Sequence, residues 1–470
     1  MTAEPLLELS LETAGDLIRR RELSPVDVTK AVIQNIESQD STLHAFISVA
    51  AEPAMEAAHD AERRIAGGDY RGPLHGLPIA IKDNIFTRDL VTTAGSRILA
   101  DHVPTEDATV VQRLREAGAI VIGKTNLHEF AWGGTTDNPH YGQTRNPWDT
   151  SRFPGGSSGG SAVAVAARMC FGALGTDTDG SVRVPSAFNG VVGLRPTSGR
   201  VSNHNVVPLA WSMDTVGPIG RSARDCFLML SVMAGLDAAD PSTVRAAVEP
   251  PRWGEGAQGL RIAVDENYCF TELQPDVEAA LRSALNALQG LGASVVPVQL
   301  GDMAGNVAAE LTVVASEAST YHGRWLRDRA DEYGDDVRLQ LELGEMYLAT
   351  QYIQAQRYRT LLRQSTLAIL EQADVILSPS VSFTAIPVGD TRVRINSERE
   401  VHAMTAVMRY TGLASLTGLP ALSVPCGFAG DGLPVGMQLL GKPFAEHTLL
   451  QAADAYQSVT DWHRRIPYSK

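Results

Sequence analysis

Leu77-Pro78-Ile79-Ala80-Ile81-Lys82, then Ala108-Thr109-Val110-Val111-Gln112-Arg113-Leu114-Arg115-Glu116-Ala117, then Ala119-Ile120-Val121-Ile122-Gly123: this succession decides the fold class. The outer two are short apolar runs rich in isoleucine and valine, the pattern of strands buried on both faces. The middle one sets Val110, Val111, Leu114 and Ala117 at helical spacing. Strand, helix, strand predicts an α/β sheet. Downstream, apolar runs predict further strands at 260–264, 294–298, 375–378, 421–425 and 435–440, and helical periodicity predicts helices at 222–234, 276–290 and 445–457. Residues 303–373 are helical almost throughout and read as an insertion over one face. Upstream, Ser24 is a cap followed by a first-turn proline, Pro25, and Val28, Ala31, Val32 and Ile36 continue at helical spacing, so residues 1–70 read as a helical arm. No linker divides the 470 residues, which read as one large domain.

The charge balance narrows the function. Acidic residues outnumber basic ones 54 to 40, a formal charge of −14, and the longest basic run is Arg19-Arg20-Arg21. Neutralising phosphates needs the opposite balance, so neither nucleic acid nor an anionic membrane surface is an expected partner. Small neutral or cationic molecules fit better. Cys170, Cys226, Cys269 and Cys426 form no C-x-x-C pair, which argues against a zinc cage or a disulfide framework and makes a reducing compartment the default. The opening Met1-Thr2-Ala3-Glu4-Pro5 lacks the basic and apolar stretches of a secretory leader, and no uncharged apolar run is long enough to span a bilayer. A cytoplasmic protein is expected.

Three segments carry chemistry. In His75-Gly76-Leu77-Pro78-Ile79-Ala80-Ile81-Lys82-Asp83-Asn84 a buried strand delivers a lysine at its tip, where lost solvation would free a neutral amine to act as a base. The plainer alternative is a lysine that snorkels or pairs with Asp83. In Pro154-Gly155-Gly156-Ser157-Ser158-Gly159-Gly160-Ser161 glycines flank serines ahead of the apolar run 162–167, as in a catalytic loop leading into a helix. A phosphate-cradling loop would need the lysine of G-x-x-x-x-G-K-[ST], which is missing, and a flexible linker would not run into apolar residues. In Gly175-Thr176-Asp177-Thr178-Asp179-Gly180-Ser181-Val182-Arg183 the N–H groups of Thr178, Asp179, Gly180 and Ser181 are candidates for an oxyanion hole around an attacking Ser181. A calcium loop is the alternative there, without its closing glutamate. Arg183 is placed to brace Asp177.

Taken together these segments strongly resemble the amidase signature family. The likeness runs from about Leu9 to Tyr456, is densest over 72–220, and rests on Gly-Gly-Ser-Ser-Gly-Gly-Ser followed, 24 residues after Ser157, by the serine of an Asp-Thr-x-Gly-Ser-x-Arg segment. Lys124-Thr125-Asn126, Arg145-Asn146-Pro147-Trp148 and Gly193-Leu194-Arg195-Pro196-Thr197 match as well. The resemblance implies a mixed, twisted β-sheet sandwiched by helices, with 72–220 as catalytic core and 303–373 over the pocket. It implies Ser181 as nucleophile, Ser157 (joined to Gly156 by a cis peptide) as proton relay and Lys82 as base, supported by Ser158, Asp177 and Arg183. No cofactor or metal is implied, and His75 and His128, near the mapped site, read as structural or substrate-wall residues.

The sequence departs from the family at three places: Asp179 stands where glycine is usual, Asn189 where cysteine is common, and Ser415 where asparagine is usual. Reactions in the family range over simple amides, anilides, carbamates, ureas and peptide amides. The expected function is cleavage of a small or medium, partly apolar amide through an acyl-enzyme, with carbamate, urea-derivative or aryl anilide cleavage as the nearest variation and a homodimer as the default assembly. The A subunit of glutamyl-tRNA amidotransferase shares similar Glu129-Phe130 and Tyr141–Pro147 segments. It ranks behind a stand-alone amidase, because its Met-Tyr-Leu-containing segment has no counterpart near 395–410 and it needs a partner. A non-catalytic binding protein ranks last, because Lys82, Ser157 and Ser181 are all retained.

Overall fold

In the computed structural model, which describes residues 3–301, 303–396 and 399–467, the three opening segments are strand, helix and strand at Pro78–Lys82, Thr109–Glu116 and Ile120–Thr125. Met1 and Thr2 of the N-terminal opening lie outside the described residues. Among those residues one mixed sheet has eleven strands, here numbered in chain order. They are β1 (Phe46–Val49), β2 (Pro78–Lys82), β3 (Ile120–Thr125), β4 (Gly172–Asp177), β5 (Val192–Arg195), β6 (Thr215–Gly220), β7 (Arg261–Val264), β8 (Ser294–Pro297), β9 (Val375–Pro379), β10 (Ala421–Phe428) and β11 (Pro434–Gly441). Across the sheet the order is β1-β3-β2-β4-β6-β5-β10-β11-β9-β7-β8. Strand β2 pairs in parallel with β3 on one side and β4 on the other, and all five of its residues are buried. That double burial is why it is apolar up to its last residue, with no alternation of polar positions.

The downstream strands and helices lie where periodicity predicts them, the helices at Ala223–Met233, Pro275–Gly290 and Glu446–Ser458. The helical stretch 303–373 resolves into Asn306–Asp328, Asp335–Gly344 and Ala349–Gln372, and the first packs against the other two and against Ala403–Thr417. Ser24 caps Pro25–Leu43 as its sequence suggests, its hydroxyl accepting from the N–H groups of Val26 and Asp27 at 3.1 and 3.4 Å. Two differences concern the site. The arm is not wholly helical, because Phe46-Ile47-Ser48-Val49 extends as β1 along the open edge of β3. Within the glycine-rich stretch, where no strand is expected from the sequence, 172–177 forms the fully buried strand β4, antiparallel to β6. Among the described residues no helix is long and apolar enough to cross a membrane.

Candidate active site

Residue 82 ends β2, and strand alternation sends its side chain to the face opposite Asp83. The amine of Lys82 is fully buried and lies 2.7 Å from Ser157 Oγ, 2.8 Å from Thr176 Oγ1 and 3.5 Å from the Thr176 carbonyl. The expected alternative, pairing of Lys82 with Asp83, is not what the fold builds. Asp83 accepts from the Thr93 N–H and hydroxyl at 2.8 and 2.5 Å, and its other oxygen is 3.4 Å from Lys124 Nζ. Burial lowers the Lys82 pKa to about 7, while the fields of Asp214 and Asp177 oppose the shift. Asp214, itself raised by burial to about 6, accepts from the Thr178 hydroxyl at 2.5 Å.

The Gly-Ser segment wraps the end of this lysine. The Gly156–Ser157 peptide is cis, as the resemblance implies. The Ser157 carbonyl accepts from the His128 N–H at 3.2 Å, and the Thr136 hydroxyl donates to the Gly155 carbonyl at 2.8 Å. The next residue, Ser158, fastens this loop to the third segment: its N–H donates to the Ser181 carbonyl at 3.1 Å and its hydroxyl to the Thr176 carbonyl at 3.2 Å. Helix Gly159–Ala166 starts immediately after. Asn189, the residue in place of cysteine, donates to the carbonyls of Pro154 and Pro185 at 2.7 Å each and so ties this loop to helix Arg183–Asn189.

The third segment is organised around Asp177. Arg183 grips both of its carboxylate oxygens, at 3.0 and 2.9 Å, and Arg195 adds a contact at 3.0 Å. Burial alone would raise this carboxyl, but the two guanidiniums and the Gly180 N–H hold it well below the usual carboxylate range. Its oxygens are thereby turned away from any calcium-loop arrangement with Asp179. The Gly180 N–H, expected to face an oxyanion, donates instead to Asp177 Oδ1 at 2.9 Å, because the turn closes back on that carboxylate. The N–H groups of Thr178, Asp179 and Ser181 have no acceptor among the described residues. Arg183 continues to Ser415 Oγ at 2.9 Å and Gln438 Oε1 at 2.7 Å, so Ser415, in the place of the usual asparagine, is a buried brace of this network.

A cavity of about 830 Å³ opens over these loops. Ser181, Thr178, Asp179 and Gly156 form its floor, and residues of helices Asn306–Asp328, Asp335–Gly344 and Ala403–Thr417 form much of the remaining wall. Among the described residues six carboxyl-bearing ones line it and no lysine or arginine does. His128 lies in the wall with Nε2 2.8 Å from Asp336, whereas His75, at the far end of β2, accepts the Arg71 N–H at 3.1 Å and is no part of the cavity. The structure thus brings Lys82, Ser157, Ser158, Asp177, Arg183 and Ser181 into one neighbourhood. The Lys82–Ser157 link is a hydrogen bond; a hydrogen bond between the hydroxyls of Ser157 and Ser181 is not among those of the described residues. Thr176, which shares the lysine, lies in the third segment but is not singled out there, and Thr136 carries no mark in the sequence.

A family model described as Amidase matches residues 27–450. The A subunit of the glutamyl-tRNA(Gln) amidotransferase of Geobacter metallireducens is 38% identical over 97% of this chain and 98% of its own. Among solved structures, one described as a vestigial protein complex revealing the evolutionary origins of an s-triazine catabolic enzyme has a TM-score of 0.91 at 33% identity, covering 96% of this chain and 98% of the other. A bacterial aryl acylamidase of the amidase signature family has a TM-score of 0.89 at 27% identity, covering 99% of both. The amidotransferase branch, ranked second from the sequence, is therefore well represented by sequence, and an acylamidase is among the structural neighbours.

Proposed function

The chain belongs to the amidase signature family, and from that premise we propose that it hydrolyses small or medium amides through Ser181, Ser157 and Lys82. The observation that carries this reading is the 2.7 Å approach of a fully buried amine, with no carboxylate hydrogen-bonded to it, to the Ser157 hydroxyl. An amine with a pKa of about 7 is neutral often enough at physiological pH to accept a proton. In the proposed step Lys82 takes the Ser157 proton, Ser157 takes that of Ser181, and the Ser181 oxygen bonds to the amide carbon. The resulting oxyanion accepts from the free N–H groups of Thr178, Asp179 and Ser181; each such donor contributes roughly 10²–10³ in rate. Collapse breaks the carbon–nitrogen bond, the relay delivers the proton to the departing nitrogen, and water entering by the same relay releases the acid from Ser181. Asp177, Arg183 and Ser158 hold the two loops in register.

The cavity wall bears on the substrate. With carboxyl groups along it and no lysine or arginine, a substrate carboxylate would be desolvated without a cation to receive it. This favours neutral or cationic amides, or the related carbamates, ureas and anilides, over free glutamine. A second reading, the A subunit of a glutamine-dependent amidotransferase, is favoured by the 38% identical relative. A generic fluorophosphonate dye should label Ser181 and fail to label Ser181→Ala; absence of labelling in the wild-type chain would overturn the hydrolase reading. Screening aliphatic amides, anilides, carbamates, ureas and glutamine then separates the branches, since glutaminase activity together with copurification of a second chain would replace the first reading by the second.

A further inference from the structure

Asp179, the departure from the family's usual glycine, does not point its carboxylate at the oxyanion site. Its Oδ1 accepts the Thr411 hydroxyl at 2.7 Å, and its side chain reaches hydrogen-bonding range of Glu310, which helix Asn306–Asp328 brings from a distant part of the chain. Glu310 is fully buried, and neither of its carboxyl oxygens meets a donor among the described residues. Of the guanidiniums whose field reaches it, Arg183 and Arg195 are turned onto Asp177, and Arg359 onto Ser212 and the Leu416 carbonyl. Room for this carboxyl is made by Gly412: a Cβ there would lie 2.8 Å from both Glu310 oxygens. Asp179 is the partly exposed member of the pair and lines the cavity beside Ser181 and Thr178.

We propose that Asp179 recognises a cationic nitrogen, such as an ammonium or amidinium, carried by the substrate close to its scissile carbonyl, and that Glu310 is the positioning residue behind it. The assignment rests on Ser181 being the nucleophile. Two carboxyl groups in contact, one buried and the other only partly exposed, without a dedicated cation, are stable with one proton between them. Burial raises both carboxyls, Glu310 the further because Asp179 adds to it, and only Asp179 has a hydroxyl, that of Thr411, to receive its charge, so the proton is placed on Glu310 and donates to Asp179. The charge that remains sits on the cavity side. The anion of this pair, in a wall that carries four further carboxyl-bearing residues and, among the described residues, no lysine or arginine, selects for positive charge.

The test uses the whole protein and two isosteric boronic acids, which add reversibly to an active serine: 3-(aminomethyl)phenylboronic acid, cationic at neutral pH, and uncharged 3-ethylphenylboronic acid. The readout is the concentration of each that protects Ser181 from the fluorophosphonate dye. The cation should protect at about tenfold lower concentration, the effect of one partly desolvated charge pair. That ratio should fall to about one in both Asp179→Asn and Asp179→Gly, and persist in Glu310→Gln, whose amide still donates to Asp179. Equal protection in the wild type, no protection by the cation, or a preference that survives both Asp179 substitutions overturns the assignment. Loss of the preference in Glu310→Gln, with dye labelling retained, would place the charge on Glu310 and overturn it too. Failure of the dye to label wild-type Ser181 is a separate result and counts against the hydrolase reading itself.

Discussion

Replacing Lys82 with methionine should remove turnover and, at the same time, stabilise the fold. The amine is fully buried and touches two hydroxyls and a carbonyl. Burial depresses its pKa from 10.5 to about 7. A lysine with a folded pKa below its unfolded one weakens the native state, because below pH 10.5 the unfolded chain takes up a proton that the folded chain holds less tightly. At pH 7 the separation of roughly three pH units, at about 1.4 kcal/mol each, corresponds to about 4 kcal/mol of lost stability. Methionine has a similar length and no charge, so it lifts that penalty; leaving the hydroxyls of Ser157 and Thr176 without the amine costs about 1–2 kcal/mol in return. The net expectation is a gain of about 2 kcal/mol at neutral pH. The sign carries a second consequence. Between the folded pKa and 10.5 the wild type regains stability as pH rises and the variant does not, so the gap between them narrows toward alkaline pH. Thermal melting of both proteins at about pH 7 and about pH 10 measures both effects, alongside loss of turnover by several orders of magnitude. A variant that melts lower at neutral pH, or a gap that widens at alkaline pH, would make Lys82 a charged structural anchor and refute the reasoning.

Two further outcomes follow from the same residues. The value of kcat/KM should rise by about tenfold from about pH 6 to about pH 8, tracking the neutral fraction of a base whose pKa is about 7; a flat profile across that window would count against a neutral lysine. Lys124→Met should not share the gain of Lys82→Met: burial lowers this amine too, to about 8, so its removal lifts about 3 kcal/mol, but it strands the buried Asp83 carboxylate beside Thr93 without its cation at a cost of about 3–5 kcal/mol, a net loss of about 1 kcal/mol; chemical denaturation that finds the two variants equally stabilised would break the distinction drawn between the two lysines.

The parts of the site that can be read from the chain are those whose chemistry is local. Lys82 follows an apolar strand, and Ser157 and Ser181 each sit in a glycine-rich turn, so residue type and neighbours announce them. The parts that cannot be read are made by pairing. Thr176 meets Lys82 because β2 and β4 align Ile81 with Leu174, which brings the residues after Gly175 level with the lysine. Strand β4 itself is disguised as a turn by its glycines, which serve close packing: a Cβ on Gly175 would lie 2.8 Å from Ser158 Oγ. Glu310 has no motif at all, since its meaning depends on a helix from the insertion closing over Asp179. The redirected Gly180 N–H has the same origin. Composition marks the loop as donor-rich, but only the fold shows that the Asp177 carboxylate is among its acceptors.

The Lys82-Asp83 pair shows how strand geometry, more than residue type, separates a base from a scaffold. In the sequence Asp83 is the obvious counter-ion of Lys82. In a strand, consecutive side chains leave on opposite faces, so the i+1 residue is the one least able to reach it. The parallel register of β2 on β3 sets Ile81 beside Lys124 and Lys82 beside Thr125, which puts Lys124 on the face to which Asp83 returns. Lys124 therefore takes the carboxylate, together with the Ile85 carbonyl at 2.6 Å and the Thr92 hydroxyl at 2.8 Å. Lys82, equally buried, is left among hydroxyls that hydrogen-bond an amine in either protonation state. One dipeptide thus deprives one lysine of a counter-ion and supplies it to the other. Burial lowers both amines, Lys124 to about 8 and Lys82 to about 7, but only Lys82 has a serine hydroxyl and no hydrogen-bonded carboxylate beside it when its proton leaves.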